Sequence, residues 1–357
     1  MRRAAIPSPP RVAVLGDGGW GTTLAILLHR KGADVALWGA FPDHVDYLRR
    51  KRINRKFLPG VPIPVALKIT ASLEEAAADR EVIVAAIPSH HMRSVCRRLA
   101  PVLSGGRRPG RRLVVSGSKG IETRTLMRMS EVIAQEIPGV RVAVLSGPSH
   151  AEEVAREIPT TVVAASGHPP SALAAQRLFM TERFRVYTNP DMPGVEIAGA
   201  IKNVIAIAAG ACDGLGFGDN AKAALVTRGI VEIARLGVSM KASLATFSGL
   251  AGLGDLITTC VSRYGRNRRV GELIARGHSL AEIAARMEMV AEGILTTKAA
   301  HRLARRHRVE MPITEQVYAV LYRGKNPADG VRELMMRRPR AELDRYRGVG
   351  TGWGGRG

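Results

Sequence analysis

A single cation, Lys202, interrupts an apolar stretch at residues 196–210, and Asn203 follows it at once. Burial disfavours the charged form of a lysine, so a buried ammonium becomes a group that gives and takes a proton near neutral pH. The competing reading of this segment alone is a lysine that runs its stem out to solvent. A second lysine, Lys119, stands in Ser118-Lys119-Gly120-Ile121-Glu122 after a strand-like run, and Ser146-Gly147-Pro148-Ser149-His150-Ala151 follows another. Both stretches fall at the carboxyl ends of strands, the edge at which open α/β sheets bind ligands. A lysine there reaches a bound anion or carbonyl, or is simply exposed. His150, with no partner in sequence, reads as packing or surface.

The remaining chemical signal is Gly16-Asp17-Gly18-Gly19-Trp20-Gly21, a GxGxxG turn between a short apolar run and a helical one. Gly16 permits the tight turn, Gly18 lets the backbone approach a pyrophosphate, and Gly21 lets the helix pack on the sheet. That setting points to a bound dinucleotide, where the motif by itself would be weak. An acid ending the second strand would mark NAD and a base NADP, but Trp38 is followed by Gly39, Ala40 and Phe41.

These groups need a scaffold, and hydrophobic periodicity supplies one. Strands are expected over residues 11–15, 35–38, 81–87, 112–116, 141–145, 160–165 and 184–188, with helices over 22–30, 92–99 and 126–137 between them. Strands alternating with helices imply a doubly wound parallel sheet with right-handed crossovers, a Rossmann-type domain. Strand-like runs then cease. Helical patterns rich in Ala, Ile and Leu cover 195–212, 220–236, 270–276, 280–287, 294–305 and 314–321, which predicts an all-α second domain. The division is an N-terminal extension 1–10, a dinucleotide-binding domain 11–190, a helical substrate domain 191–345 and a disordered glycine-rich tail 346–357.

Composition narrows the class. A chain of 357 residues with 46% hydrophobic and 24% charged side chains is globular rather than disordered, and aromatics at 4% leave the core aliphatic. No apolar run is expected to reach the length of a membrane span, and residues 1–10 lack the apolar core of a signal peptide. A cytoplasmic protein without a transmembrane segment is therefore expected. Cys96, Cys212 and Cys260 are far apart and form neither a metal-binding pattern nor a disulfide framework. The net charge of +22, from 53 basic and 31 acidic residues, would attract polyanions. The basic residues are dispersed over 49–55, 97–112, 302–308 and 337–347 without interleaved aromatics, which argues against specific nucleic-acid binding.

Two further stretches make the pattern specific: Asp213-Gly214-Leu215-Gly216-Phe217-Gly218-Asp219-Asn220-Ala221-Lys222, and Gly249-Leu250-Ala251-Gly252-Leu253-Gly254-Asp255-Leu256-Ile257-Thr258-Thr259-Cys260, which leads to Gly265-Arg266-Asn267-Arg268. Taken in order with the glycine turn, the Lys119 and Gly147 segments and the Lys202-Asn203 helix, they resemble glycerol-3-phosphate dehydrogenase of the bacterial NAD(P)-dependent type over residues 11–320. The resemblance implies reversible reduction of dihydroxyacetone phosphate to sn-glycerol 3-phosphate for glycerophospholipid synthesis, with NAD or NADP, no metal, and a homodimer. It makes Lys202 the proton acceptor in alcohol oxidation, with Lys119 and Asp255 beside it as catalytic residues. Substrate contacts fall on Lys119, Gly147, Ser149, Lys202, Asn203, Asp255, Thr259, Gly265, Arg266 and Asn267. Cofactor contacts fall on Gly16, Gly18, Gly19, Trp20, Gly21, Ala40, Lys119, Ala151, Arg266, Val290 and Glu292. The chain departs from the family pattern at Gly19 and Gly265, where serine is usual, and at Ala40, where a base is common.

Two other readings compete with this one. One is a related two-domain dehydrogenase of a hydroxy acid or nucleotide sugar, which activity on the triose phosphate would separate. The other is a non-catalytic cofactor-binding or nucleic-acid-binding protein, supported by the charge alone and opposed by the joint presence of Lys119, Lys202, Asp255, Arg266 and Asn267.

Overall fold

A computed structural model of the protein describes residues 9–104, 112–287, 291–339 and 342. Its strands are β1 (Arg11–Leu15), β2 (Asp34–Trp38), β3 (Ile53–Asn54), β4 (Leu58–Pro62), β5 (Lys68–Thr70), β6 (Val82–Ala85), β7 (Leu113–Ser116), β8 (Arg141–Ser146), β9 (Thr160–Ala165) and β10 (Phe184–Asn189). Eight of them form one sheet in the order β10-β9-β8-β7-β6-β1-β2-β5, while β3 and β4 make a separate antiparallel pair. The outward order reverses at β1, so the crevice beyond β1 and β6 is the switch point where such sheets bind ligands. Both faces are covered. Val12 and Val14 point into one apolar cluster with Leu24 and Leu28, and Ala13 and Leu15 into another with Val95 and Leu99. This double burial is why the strands read as continuous apolar runs.

The sheet is not wholly parallel, which corrects the expectation from sequence: β8 and β9 pair antiparallel. The connection between them carries only the short helix Ala151–Ala155 and a left-handed residue, Glu157 at φ 60°, and the chain folds straight back instead of crossing over. The β3–β4 hairpin was also unforeseen. It lies on the glycine turn, where the buried Asn54 donates from Nδ2 to Asp17 O and to Thr22 Oγ1, both at 2.8 Å.

The second half is helical and centres on the helix Met192–Gly214. Asp191 caps it, accepting from Gly194 N at 3.0 Å, and the same side chain accepts from Ser243 N and Thr246 Oγ1, fixing the helix Leu244–Phe247 to its start. By length and composition this helix and the segment Leu244–Val261 could each cross a membrane, contrary to the expectation that no stretch would. In the fold, 89% of the first one's apolar window is buried inside the protein. It is the central helix of an apolar core that includes Ile201, Ile205, Leu236, Leu256 and Leu303. The helix Arg266–Ala275 runs alongside it at backbone contact. A Cβ on Gly210 would collide with Arg268 O, and one on Gly271 with Ile207 O, so glycine alone allows the approach.

Candidate active site

Four elements converge beyond the carboxyl edge of the sheet. The loop after β7 carries Lys119, the loop after β8 carries Gly147 and Ser149, the core helix carries Lys202 and Asn203, and the helix Asp255–Val261 begins at Asp255. Gly199, one turn before Lys202, lies 3.7 Å by its would-be Cβ from Lys119 Cγ, and this space lets the lysine pass over the helix. A π-helical turn, Leu250–Gly254, leads directly into Asp255, an irregularity of the kind that recurs at functional sites.

At the centre one carboxylate holds two lysines. Lys202 Nζ donates to Asp255 Oδ1 at 2.5 Å, and Lys119 Nζ donates to Asp255 Oδ2 at 2.7 Å. Lys202 also donates to Thr259 Oγ1 at 2.5 Å, and that hydroxyl donates back to Asp255 O one helical turn away at 2.6 Å. Lys119 makes a further bond to Gly147 O at 3.0 Å, an oxygen that also accepts from Ser149 Oγ. Gly147 presents that oxygen from a left-handed conformation at φ 124°, which only glycine adopts readily. Lys202 is buried, so it does not run out to solvent.

Burial governs the electrostatics of this cluster. It pulls the Lys202 ammonium down to about 8, against the opposing attraction of Asp255 and with help from the positive charge of Lys119. Burial would raise Asp255, but the two ammoniums outweigh it and hold the carboxylate below its usual range. The site therefore contains a lysine that changes protonation near neutral pH, held by an acid that stays ionised.

Two flanking groups extend it. Glu292, at the start of the helix Glu292–His307, accepts from Ser89 N at 2.9 Å, and burial pushes its carboxyl up to about 7. Arg266 stands near enough to Glu292 to oppose that rise. Asn267 is buried and accepts from Gly293 N at 2.9 Å, so Arg266 and Asn267 are brought to the same corner as Glu292. Sequence reasoning set His150 aside. In the structure it is half-buried, its Nε2 finds no partner among the described residues, and burial followed by the charge of Lys202 lowers its pKa. Its single position in sequence held no sign of this.

The glycine turn fits a dinucleotide. Gly16 adopts φ 111°, a Cβ on Gly21 would collide with Gly16 O, and a Cβ on Gly18 would meet nothing within 4 Å. The helix Gly19–Arg30 begins there without a side-chain cap or an acid in its first turn, leaving its N–H groups for phosphate oxygens. Trp20 Nε1 is buried without a partner among the described residues, and Ala151 O accepts from Thr23 Oγ1 at 3.1 Å, placing Ala151 against the turn. Gly19 gains a physical reason: a Cβ there would lie 2.5 Å from Phe57 O, so the hairpin occupies the space a serine would need. Gly265 is less constrained, its would-be Cβ lying 3.0 Å from Thr259 O. Ala40 is exposed at the end of β2, and Val290 lies outside the described residues.

Known proteins resemble this chain over most of its length. A family model described as NAD-dependent glycerol-3-phosphate dehydrogenase N-terminus matches residues 11–172, and its C-terminus counterpart matches residues 191–332. The chain belongs to this family. A glycerol-3-phosphate dehydrogenase [NAD(P)+] from Geobacter sulfurreducens is 53% identical over 335 residues, covering 93% of this chain and 98% of the relative. One from Chlorobium limicola is 51% identical over 335 residues, covering 93% and 99%. The crystal structure of glycerol-3-phosphate dehydrogenase from Coxiella burnetii superposes with a TM-score of 0.88 at 39% identity, covering 93% of this chain and all of that one. The dehydrogenase family thus accounts for the Rossmann-type first half, the helical second half and the NAD(P) dependence.

Proposed function

We infer that the chain catalyses the reversible NAD(P)H-dependent reduction of dihydroxyacetone phosphate to sn-glycerol 3-phosphate, the precursor for glycerophospholipids. The observation that carries the reading is the buried Lys119–Asp255–Lys202 cluster beside the glycine turn, in a member of this family. When bound, the nicotinamide supplies or accepts the hydride. The residues that would hold the dinucleotide are Gly16, Gly18, Gly19, Trp20, Gly21, Ala151, Lys119, Arg266 and Glu292.

Lys202 carries the proton. Its ammonium gives a proton to the C2 oxygen of the ketone during reduction, and its neutral amine takes one from the alcohol during oxidation. Asp255 and Thr259 orient Nζ, and the fixed charge of Lys119 stabilises the oxygen as negative charge develops there. Gly147, Ser149 and Asn203 line the space around the reacting carbon. The uncapped start of the helix Arg266–Ala275, with Gly265, Arg266 and Asn267, suits the substrate phosphate. A cytoplasmic homodimer is the assembly we propose, and sedimentation of the purified protein tests it.

The first test is turnover of dihydroxyacetone phosphate with NADH and NADPH, followed by loss of near-ultraviolet absorbance. Lys202→Ala is expected to lower kcat by at least a thousandfold, while NADH binding by fluorescence stays within about threefold of wild type. Near-wild-type turnover in that variant would overturn the role given to Lys202.

A further inference from the structure

The adenosine end of the crevice lacks an acid where dinucleotide folds ordinarily place one. In such folds an acidic side chain about twenty residues past the glycine turn, at the end of the second strand, accepts from the ribose 2′-hydroxyl. Here β2 ends at Trp38 and continues into Gly39 and the exposed Ala40. The carboxylate arrives from another direction. Asp17, the second residue of the glycine turn, packs its side chain against β2 so closely that a Cβ on Gly39 would collide with Oδ2 and lie 2.7 Å from Cγ. Gly39 is therefore the opening through which an acid from the turn reaches the strand end.

The acid is held in place there. His44 Nδ1 donates to Asp17 Oδ2 at 2.8 Å, and the His44 ring rests edge-on against Phe57 at 5.3 Å between centroids. The Asp17 carbonyl is fixed in turn by Asn54. Oδ1 makes no hydrogen bond among the described residues. A carboxylate with one oxygen anchored and the other unpaired is an acceptor waiting for a donor. The neighbouring turn leaves open space over Gly18, where a pyrophosphate fits.

We propose that Asp17, positioned by His44 and admitted by Gly39, recognises the adenosine ribose and makes this dehydrogenase selective for NADH over NADPH. The proposal rests on the dehydrogenase reading above and names the cofactor within it. The 2′-hydroxyl of NADH donates to Oδ1. The 2′-phosphate of NADPH offers no donor there and brings like charge against a confined carboxylate, a repulsive element of the kind that creates specificity.

Direct binding to the cofactor-free protein tests this without turnover. NADH and NADPH are titrated by fluorescence, and ADP-ribose and its 2′-phosphate by calorimetry, at moderate ionic strength to suppress non-specific attraction to the +22 chain. Wild type is expected to bind NADH at least tenfold more tightly than NADPH, with the same order for the two fragments. Asp17→Asn and Asp17→Ala should reduce that ratio to threefold or less, chiefly by strengthening NADPH. Gly39→Ala, which forces the carboxylate away while keeping it in the chain, should do the same and serves if an Asp17 variant fails to fold. Equal or tighter NADPH binding by wild type, or a ratio unmoved in folded variants, overturns the ribose assignment alone. Binding of neither dinucleotide by folded wild-type protein overturns the dehydrogenase reading with it.

Discussion

Asp255→Asn removes the charge that two lysines share while keeping the shape of the side chain. Asp255 is 1% exposed and stands 2.5 Å from Lys202 Nζ and 2.7 Å from Lys119 Nζ. At an effective dielectric of about 20, charges at such distances attract by roughly 6 kcal/mol before desolvation is counted. Removing one partner of a buried pair typically costs about 3–5 kcal/mol net. With Lys202 as the proposed proton donor and burial drawing its ammonium down to about 8, kcat/KM for ketone reduction should be flat below that pH and fall above it. Glycerol 3-phosphate oxidation, which needs the neutral amine, should rise towards the same pH and then level. Loss of Asp255 withdraws attraction from the ammonium and leaves it facing Lys119, so both act to release the proton. If about 3 kcal/mol of the loss falls on Lys202, the descending limb moves about two pH units lower, at 1.36 kcal/mol per unit. Reduction at pH 7.5 then falls more than tenfold on protonation alone. The assay is the pH profile of dihydroxyacetone phosphate reduction in wild type and variant, with melting temperature and NADH binding as controls for folding. A limb unmoved in a folded variant, or one displaced to higher pH, would show that Asp255 does not set the protonation of Lys202.

Other perturbations follow from the same contacts. Gly271→Ala places a methyl group against Ile207 O, and overpacking of this kind should destabilise the protein by on the order of 3 kcal/mol, seen as a lower denaturation midpoint. Gly19→Ser restores the residue usual in the family, yet its Cβ would meet Phe57 O; we expect weaker NADH binding and a loss of about 1–3 kcal/mol in stability, and tighter binding would contradict the packing argument. Glu292→Ala leaves the buried Ser89 N–H without its acceptor and should cost about 1–3 kcal/mol, whereas Glu292→Gln keeps an acceptor and should melt closer to wild type.

Much of this architecture was legible in the residues because apolar periodicity reports burial directly. The strands expected at 11–15, 141–145 and 160–165 and the long helices around Lys202 are read from that signal. Strand direction is not encoded in it, so the antiparallel return of β9 could not be foreseen. The β3–β4 hairpin escaped notice because Pro59, Gly60 and Pro62 erase the alternation of β4. At the site, the resemblance brought Lys119, Lys202 and Asp255 onto one list, and the fold supplies the contacts between them. Asp17 was hidden for a different reason: sequence spacing points to the end of β2 for a ribose acid, while this carboxylate crosses through space from the turn. Glu292 and Ser89 meet across more than half the sequence, a pairing that local spacing cannot express.

Lys119 stands on the loop after β7 and Lys202 in the helical core, and a single carboxylate grips both. The core helix is enclosed by its neighbours, with Lys202 itself buried. Lys119, the more exposed of the two lysines, is joined to Asp255 by an ion pair at 2.7 Å, and without it Asp255 would keep one cation instead of two. The contact across the seam and the proton affinity of Lys202 are therefore linked: the charge of Lys119 weakens the hold of Lys202 on its proton, and losing that contact would strengthen it.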